Sequence, residues 1–110
     1  MKSRFKEVCI SADCLKIDLN KVIGAVAGEV KIAYILHDKN ASLSHYHIFL
    51  DYGKNSVENN SVTKLLKVSD KFVLSSRVKN WRDIKNYLIH TRDYEYSLAD
   101  IVANFDLSTY

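Results

Sequence analysis

Two apolar runs separated by a short polar break constrain the fold of this chain more than any other feature. Residues 30–37 and 46–52 are rich in β-branched, aliphatic and aromatic side chains, as strands are. The break between them contains the turn formers Asp38 and Asn40. Two such runs joined by a short polar connection predict an antiparallel β-hairpin.

Three of the four histidines lie on or beside this predicted hairpin. Side chains alternate across a strand, so His45 and His47 share one sheet face, and the hairpin brings His37 beside His45. Neutral imidazoles suit a divalent transition metal, and an oxygen from Asp38 or Asn40 would complete a site with one open position. The same spacing also occurs in sheets whose histidines are merely half buried, and the pattern leaves both interpretations open.

The composition is that of one ordinary globular domain. A chain of 110 residues with 47% hydrophobic residues can bury a sizeable core, and three glycines with no proline argue against a linker or disordered tail. The net charge of +3 is compatible with a polyanionic partner, although many proteins with such a charge never bind nucleic acid.

Cys9 and Cys14 are the two cysteines, in a chain without a long apolar run or a recognisable signal peptide. We therefore expect a cytoplasmic protein with free, structural thiols and no membrane partner.

Hydrophobic periodicity predicts further elements on both sides of the hairpin. A helix that begins at Leu19 and stops near Gly28 is preceded by the possible caps Ser11 and Asp13, and Ser61 is a fair cap for a second helix. The predicted strands cover 4–11 and 72–78, and the predicted helices cover 19–28, 61–67, 80–88 and 98–103. This order predicts an α+β fold, in which helices pack on an antiparallel β-sheet.

The residues around the histidines resemble the HUH endonuclease superfamily, in its branch of rolling-circle plasmid replication initiators. The sequence His37-Asp38-Lys39 followed by His45-Tyr46-His47 on a strand carries the resemblance. Residues 54–66 are similar to the helix after the histidine strand, residues 87–90 to the catalytic tyrosine motif, and residues 99–106 to the closing segment. The resemblance covers most of the chain beyond residue 28.

This resemblance implies a fold of the HUH nuclease or ferredoxin-like type and a site-specific, metal-dependent single-strand DNA endonuclease. Tyr87 would attack a DNA phosphate at the plasmid double-strand origin, leaving a 5′-phosphotyrosine and a 3′-OH primer. Strand transfer would later end the cycle, in a relaxase-like and topoisomerase-like manner. The implied metal is Mn²⁺ or Mg²⁺, and its ligands would be His37, Asn40, His45 and His47, with Asp38 as the alternative to Asn40.

The implied partner is plasmid origin DNA, single-stranded at the nick site and duplex at the flanking repeats. Members of this branch carry a C-terminal oligomerisation domain, so residues 1–110 are expected to be one nuclease and origin-binding domain of a longer, self-associating chain. Two alternatives remain: an origin-binding domain of the same fold that does not nick, and a non-catalytic α+β nucleic-acid-binding module.

Two positions weaken or qualify the match. The family motif resembles His-Asp-Lys-Asp, whereas position 40 here is Asn40, whose amide can donate an oxygen but carries no charge. A helical tyrosine such as Tyr87 is also commonly a packing residue, and Tyr94 and Tyr96 lie close to it in the sequence.

Overall fold

The structure, a computed structural model, describes residues 3–37, 44–75 and 100–106. Its central feature is the antiparallel pair of β2 (Lys31–His37) and β3 (His45–Asp51). In the register of this pair, His37 lies opposite His45 and Lys31 lies opposite Asp51. The predicted hairpin is therefore confirmed, with each boundary within one residue of the expected position.

Within the described residues, the hairpin forms the middle of a five-stranded sheet. Strand β1 (Phe5–Ser11) pairs with the other edge of β3, and β4 (Val73–Ser75) pairs with β1. Strand β5 (Val102–Ala103) pairs with β2, so the strand order is β4-β1-β3-β2-β5. All four pairings are antiparallel.

Two helices in the described part of the chain accompany the sheet, and the cap residues of both differ from the sequence prediction. Helix α1 (Leu19–Ala25) begins as expected, but its cap is Asp18, whose carboxylate accepts a hydrogen bond from the Asn20 N–H. Ser11 cannot cap it, because that residue is still paired in β1. The chain leaves α1 through Gly28, whose φ of 90° suits glycine.

Helix α2 (Asn59–Leu66) begins before the predicted cap Ser61, which lies inside the helix, so that cap prediction is wrong. Glu58 precedes its first turn, and the buried Lys6 reaches that turn from β1, where its Nζ donates to Asn59 Oδ1 at 2.7 Å. A tertiary contact therefore accompanies the earlier start. A short 3₁₀ turn, Asp70–Phe72, then leads into β4.

Both helices pack on one face of the sheet, which confirms the α+β class. In β1, β2 and β3, even-numbered side chains point to the helices and odd-numbered side chains point to the other face. The helix-facing core consists of Val8, Ile10, Leu19, Ile23, Ile32, Ile48, Leu50, Val62, Leu66 and Val73. A smaller cluster of Phe5, Ala33, Ile35 and Phe49 lies on the other face, with Ile101, Ala103 and Phe105 against it.

The last predicted helix, over 98–103, is wrong for the residues described, because Val102–Ala103 is a strand. The Asn104 side chain, directly after β5, forms hydrogen bonds that hold β5 beside β2. Its Oδ1 accepts from the Ile32 N–H at 3.0 Å, and its Nδ2 donates to the carbonyls of Ile23 and Val30 at 3.0 and 2.9 Å. One amide thus bonds to three backbone groups, one in α1, one in β2 and one at the residue before β2.

Several other predictions fall outside the described residues. They are the helix over 80–88, the end of the strand over 72–78, and the positions of Asp38, Asn40, Tyr87, Tyr94 and Tyr96. Cys9 and Cys14 are both free thiols, as expected. Among the residues described, no helix has the length and apolarity needed to cross a membrane.

Replacing Asn104 with Ala should lower the free energy of unfolding by about 3 kcal/mol, since each partly buried backbone group left without its partner costs ~1–3 kcal/mol. Urea denaturation of the whole chain measures this. The matched control is Asn60→Ala on the exposed side of α2, which should change stability by less than ~0.5 kcal/mol. Equal stability of the two variants would contradict the anchoring role of Asn104.

Candidate metal centre

The strands of the hairpin bring the three histidines together. His37 is the last residue of β2 and His45 is the first residue of β3, and the two are paired across the hairpin. His47 lies two residues along β3 from His45, so its side chain points to the same face. That face is opposite the one covered by α1 and α2.

The three imidazole rings are in contact. The ring centroids are 5.2 Å apart for His37 and His45, 4.5 Å for His37 and His47, and 4.9 Å for His45 and His47. The Nε2 atoms of His45 and His47 are 3.1 Å apart. One nitrogen from each ring lies within 4.8 Å of the others, so three donors converge on one point.

These distances fit a metal ion. Imidazole nitrogens bind at about 2.0–2.1 Å, so two of them on one ion are separated by about 2.9 Å at a right angle and about 3.4 Å at the tetrahedral angle. The 3.1 Å between the two Nε2 atoms lies in this interval. A hydrogen bond from one imidazole to the other has the same length. The His37, His45 and His47 cluster can hold a metal ion after a small adjustment of the third ring.

The burial of the cluster is uneven. His37 is 4% exposed and His47 is 6% exposed, whereas His45 is half buried. Rings packed in this way on strands have little rotational freedom, which preorganises a ligand set. The half-buried His45 is the most accessible of the three rings, so a further ligand would approach the cluster from its side.

Cys9 is a neighbour of the cluster that sequence reasoning did not place there. It lies opposite His47 in the register of β1 and β3 and points to the same face. Burial raises the pKa of the Cys9 thiol, and the negative charge of Glu7 raises this pKa further. The described side chains that are close enough to hold one metal ion are those of the three histidines, and Cys9 is not among them. Pairing the predicted strand 4–11 with the histidine strand would have revealed this neighbour.

The other predicted site residues lie outside the described residues. In the sequence, Asp38 and Asn40 stand between β2 and β3, and Tyr87 follows β4. The structure thus unites His37, His45 and His47 as the sequence predicted. The fourth ligand and the nucleophile stay predictions.

Comparisons with protein-family models and with curated proteins give no significant match to this chain. The metal centre therefore stands on the geometry of its three imidazoles. The likeness to HUH endonucleases rests on the motif residues around His37, His45 and His47 and around Tyr87.

Replacing His45 or His47 with Ala should lower the affinity for Mn²⁺ more than about 100-fold, because losing a ligand costs more than losing a residue that only hydrogen-bonds to a ligand, which costs roughly 10–100-fold. Isothermal titration calorimetry measures the affinity. The matched control is His90→Ala, which removes the fourth histidine of the chain and should leave Mn²⁺ binding unchanged. Unchanged binding in both His45→Ala and His47→Ala would show that these imidazoles are not metal ligands.

The identity of the fourth ligand can be tested by charge. Three neutral imidazoles and the Asn40 amide leave the +2 charge of the ion uncompensated, so we expect weak metal binding without DNA and tighter binding with it. If Asn40 is a ligand, Asn40→Asp should raise the affinity of the DNA-free protein. If Asp38 is the ligand instead, Asp38→Ala should abolish binding while Asn40→Asp changes nothing.

Proposed function

We propose that this protein is the nicking endonuclease domain of a rolling-circle plasmid replication initiator. It cuts one strand of origin DNA by attack of Tyr87 on a phosphate. The observation that supports this proposal most is the convergence of His37, His45 and His47 on adjacent strands of one antiparallel hairpin. The full protein would act in the cytoplasm and would oligomerise through a further domain.

The proposed reaction exchanges one phosphate ester for another. The Tyr87 oxygen forms a bond to phosphorus while the bond from phosphorus to the 3′-oxygen breaks, and the phenol proton balances the new 3′-hydroxyl. Tyrosine is largely protonated near pH 7, so it needs activation to become a nucleophile. A bound divalent ion, Mn²⁺ or Mg²⁺, would polarise the phosphate oxygens and offset the charge that develops on them.

The residues of the hairpin would orient this phosphate. His37 and His47 are almost fully buried, so the orientation of their rings is fixed before a metal ion or phosphate binds. His45 stands at the accessible side, where a phosphate group would approach. In many active sites, dipoles and ligands that are already in position make the largest contribution to catalysis. Removing one such group typically lowers the rate about 10²–10³-fold.

A binding domain that recognises origin DNA without cutting it is the second candidate. The net charge of +3 supports a nucleic-acid partner whether or not the chain cuts DNA. Cleavage and binding must therefore be measured separately.

The covalent adduct tests the proposal directly. Oligonucleotides that tile a candidate origin are labelled at the 3′ end. The protein becomes attached to the 5′-phosphate of the downstream fragment, and that fragment carries the label. With Mn²⁺, the wild-type chain should give a labelled band of slower mobility in a denaturing gel. Tyr87→Phe should give none while keeping its DNA affinity, because only the phenolic oxygen is lost. Tyr94→Phe is the matched control and should form the adduct.

Three results would change the assignment. An adduct that persists in Tyr87→Phe but disappears in Tyr94→Phe moves the nucleophile to Tyr94. An adduct that survives a metal chelator contradicts the role of the histidine cluster. A wild-type chain that binds the oligonucleotides but never forms an adduct is the non-nicking origin-binding domain.

A further inference from the structure

Three exposed lysines lie at the carboxyl end of α2, and we call them the lysine patch. Lys64 is in the last turn of the helix, Lys67 directly follows its last residue, and Lys71 is in the 3₁₀ turn that contacts α2. Side chains three residues apart at a helix end are neighbours, so Lys64 and Lys67 are adjacent on the surface.

The ammonium groups of the lysine patch are accessible to a partner. Within the described part of the chain, none of them forms an ion pair. The Lys71 Nζ lies 5.1 Å from the centroid of the Phe72 ring, a contact with its neighbour in the sequence that leaves Lys71 exposed. Asp70 is the carboxylate of the same segment, and its charge acts on the buried Lys6. The lysines outnumber it, so this end of α2 is positively charged.

Lys67 has a backbone conformation that lysine rarely adopts. Its φ of 57° and ψ of 44° lie in the left-handed region, and it is the one described residue other than glycine with a positive φ. Glycine is the usual residue at such a helix end, because a Cβ disfavours this conformation. Lys64 already places a positive charge in the last turn, where it complements the helix dipole. A lysine kept at position 67 against the backbone preference points to a role of its side chain.

The lysine patch and the histidine cluster lie on opposite sides of the sheet. Helix α2 buries Val62 and Leu66 in the helix-facing core, whereas the three imidazoles point to the other face. One phosphate cannot contact both, so the patch meets a different part of any DNA that is bound at the cluster.

The composition of the patch favours double-stranded DNA. Sites for single strands combine cations with aromatic rings on which the bases stack. The ring beside the patch, that of Phe72, packs instead against the helix-facing core. Lysines act on phosphate as point charges, and the phosphates of a duplex are more densely spaced than those of one strand.

We infer that the lysine patch binds the phosphate backbone of duplex DNA beside the nick site. Such contacts orient a protein on DNA without reading its sequence. The inference deepens the proposed function and rests on it for the identity of the duplex. Paired DNA would be held on the helix side of the sheet, while the unpaired strand reaches the histidine cluster on the other side.

The salt dependence of binding to a short labelled DNA duplex of random sequence measures these contacts. Fluorescence anisotropy of the whole chain is recorded with a metal chelator between about 50 and 200 mM salt. Lys64→Gln, Lys67→Gln and Lys71→Gln should each weaken binding at least about threefold and reduce the log–log slope by about 0.9, the value for one phosphate contact.

Lys21→Gln is the charge-matched control, because Lys21 is an exposed lysine on α1. It should weaken binding less than about 1.5-fold, since charges more than a Debye length away are largely screened. Equal losses in Lys21→Gln and in the three patch variants would overturn the inference, because diffuse attraction by the net charge would then explain them.

Lys67→Gly separates binding from structure. Glycine removes the Cβ that disfavours the left-handed conformation, so the melting temperature should be retained or raised. The same variant should bind the duplex as weakly as Lys67→Gln does. A lower melting temperature with unchanged duplex affinity would show that Lys67 serves the helix end, and would overturn its role in binding.

A single strand of the same length is the second probe, and the patch variants should weaken its binding less than that of the duplex. Equal losses on both would make the patch a general anion site, and a loss confined to the single strand would assign it to the nicked strand. Either result overturns the inference. If the patch variants lose duplex binding but the wild-type chain never forms the adduct, the endonuclease alone is refuted. If the adduct forms and duplex affinity ignores the patch, the patch alone is refuted.

Discussion

The register between β2 and β3 is the constraint on which the rest of the structure depends. Because side chains alternate with a period of two, a slip of one residue would move a whole strand's side chains to the other face. The register is held by burial on the helix-facing side, where Ile32, Ile48 and Leu50 are all 0% exposed. The same register sets His37 opposite His45 at one end and Lys31 opposite Asp51 at the other.

The two faces of the sheet therefore have different roles. Helices α1 and α2 cover one face with an aliphatic core. The other face carries the imidazole cluster, the Cys9 thiol and the carboxylate of Asp51, with a smaller aromatic and aliphatic cluster between the two ends. Buried charged groups need partners, and two of them have partners from distant parts of the chain: Asp51 is bonded to Arg4 and Gly53, and Lys6 to Asn59. Burial lowers the pKa of Lys6, although the negative charges of Glu58 and Asp70 oppose this shift.

The places where sequence reasoning failed share a cause. Ser11 has the chemistry of a helix cap, but β1 continues through it to pair with His45, and Asp18 takes that role. Residues 98–103 have a helical pattern, yet Val102 and Ala103 pair with β2, and the adjacent Asn104 side chain bonds to backbone groups of Ile23, Val30 and Ile32. In both cases a contact distant in sequence outweighed a local preference, as is common when propensities are weak.

Local sequence patterns were sufficient to predict the hairpin, the sheet-covering helix from Leu19 and the shared face of His37, His45 and His47. These follow from the period of two along a strand and from a short turn, which are local properties. Long-range contacts set the position of Cys9 opposite His47, the strand after residue 100 and a cavity that is lined by Arg4, Lys31, Asp51 and Phe105. Arg4, Lys31, Asp51 and Phe105 come from four separate segments of the chain. They meet because long-range strand pairing joins these segments into one sheet, and no local pattern encodes that pairing.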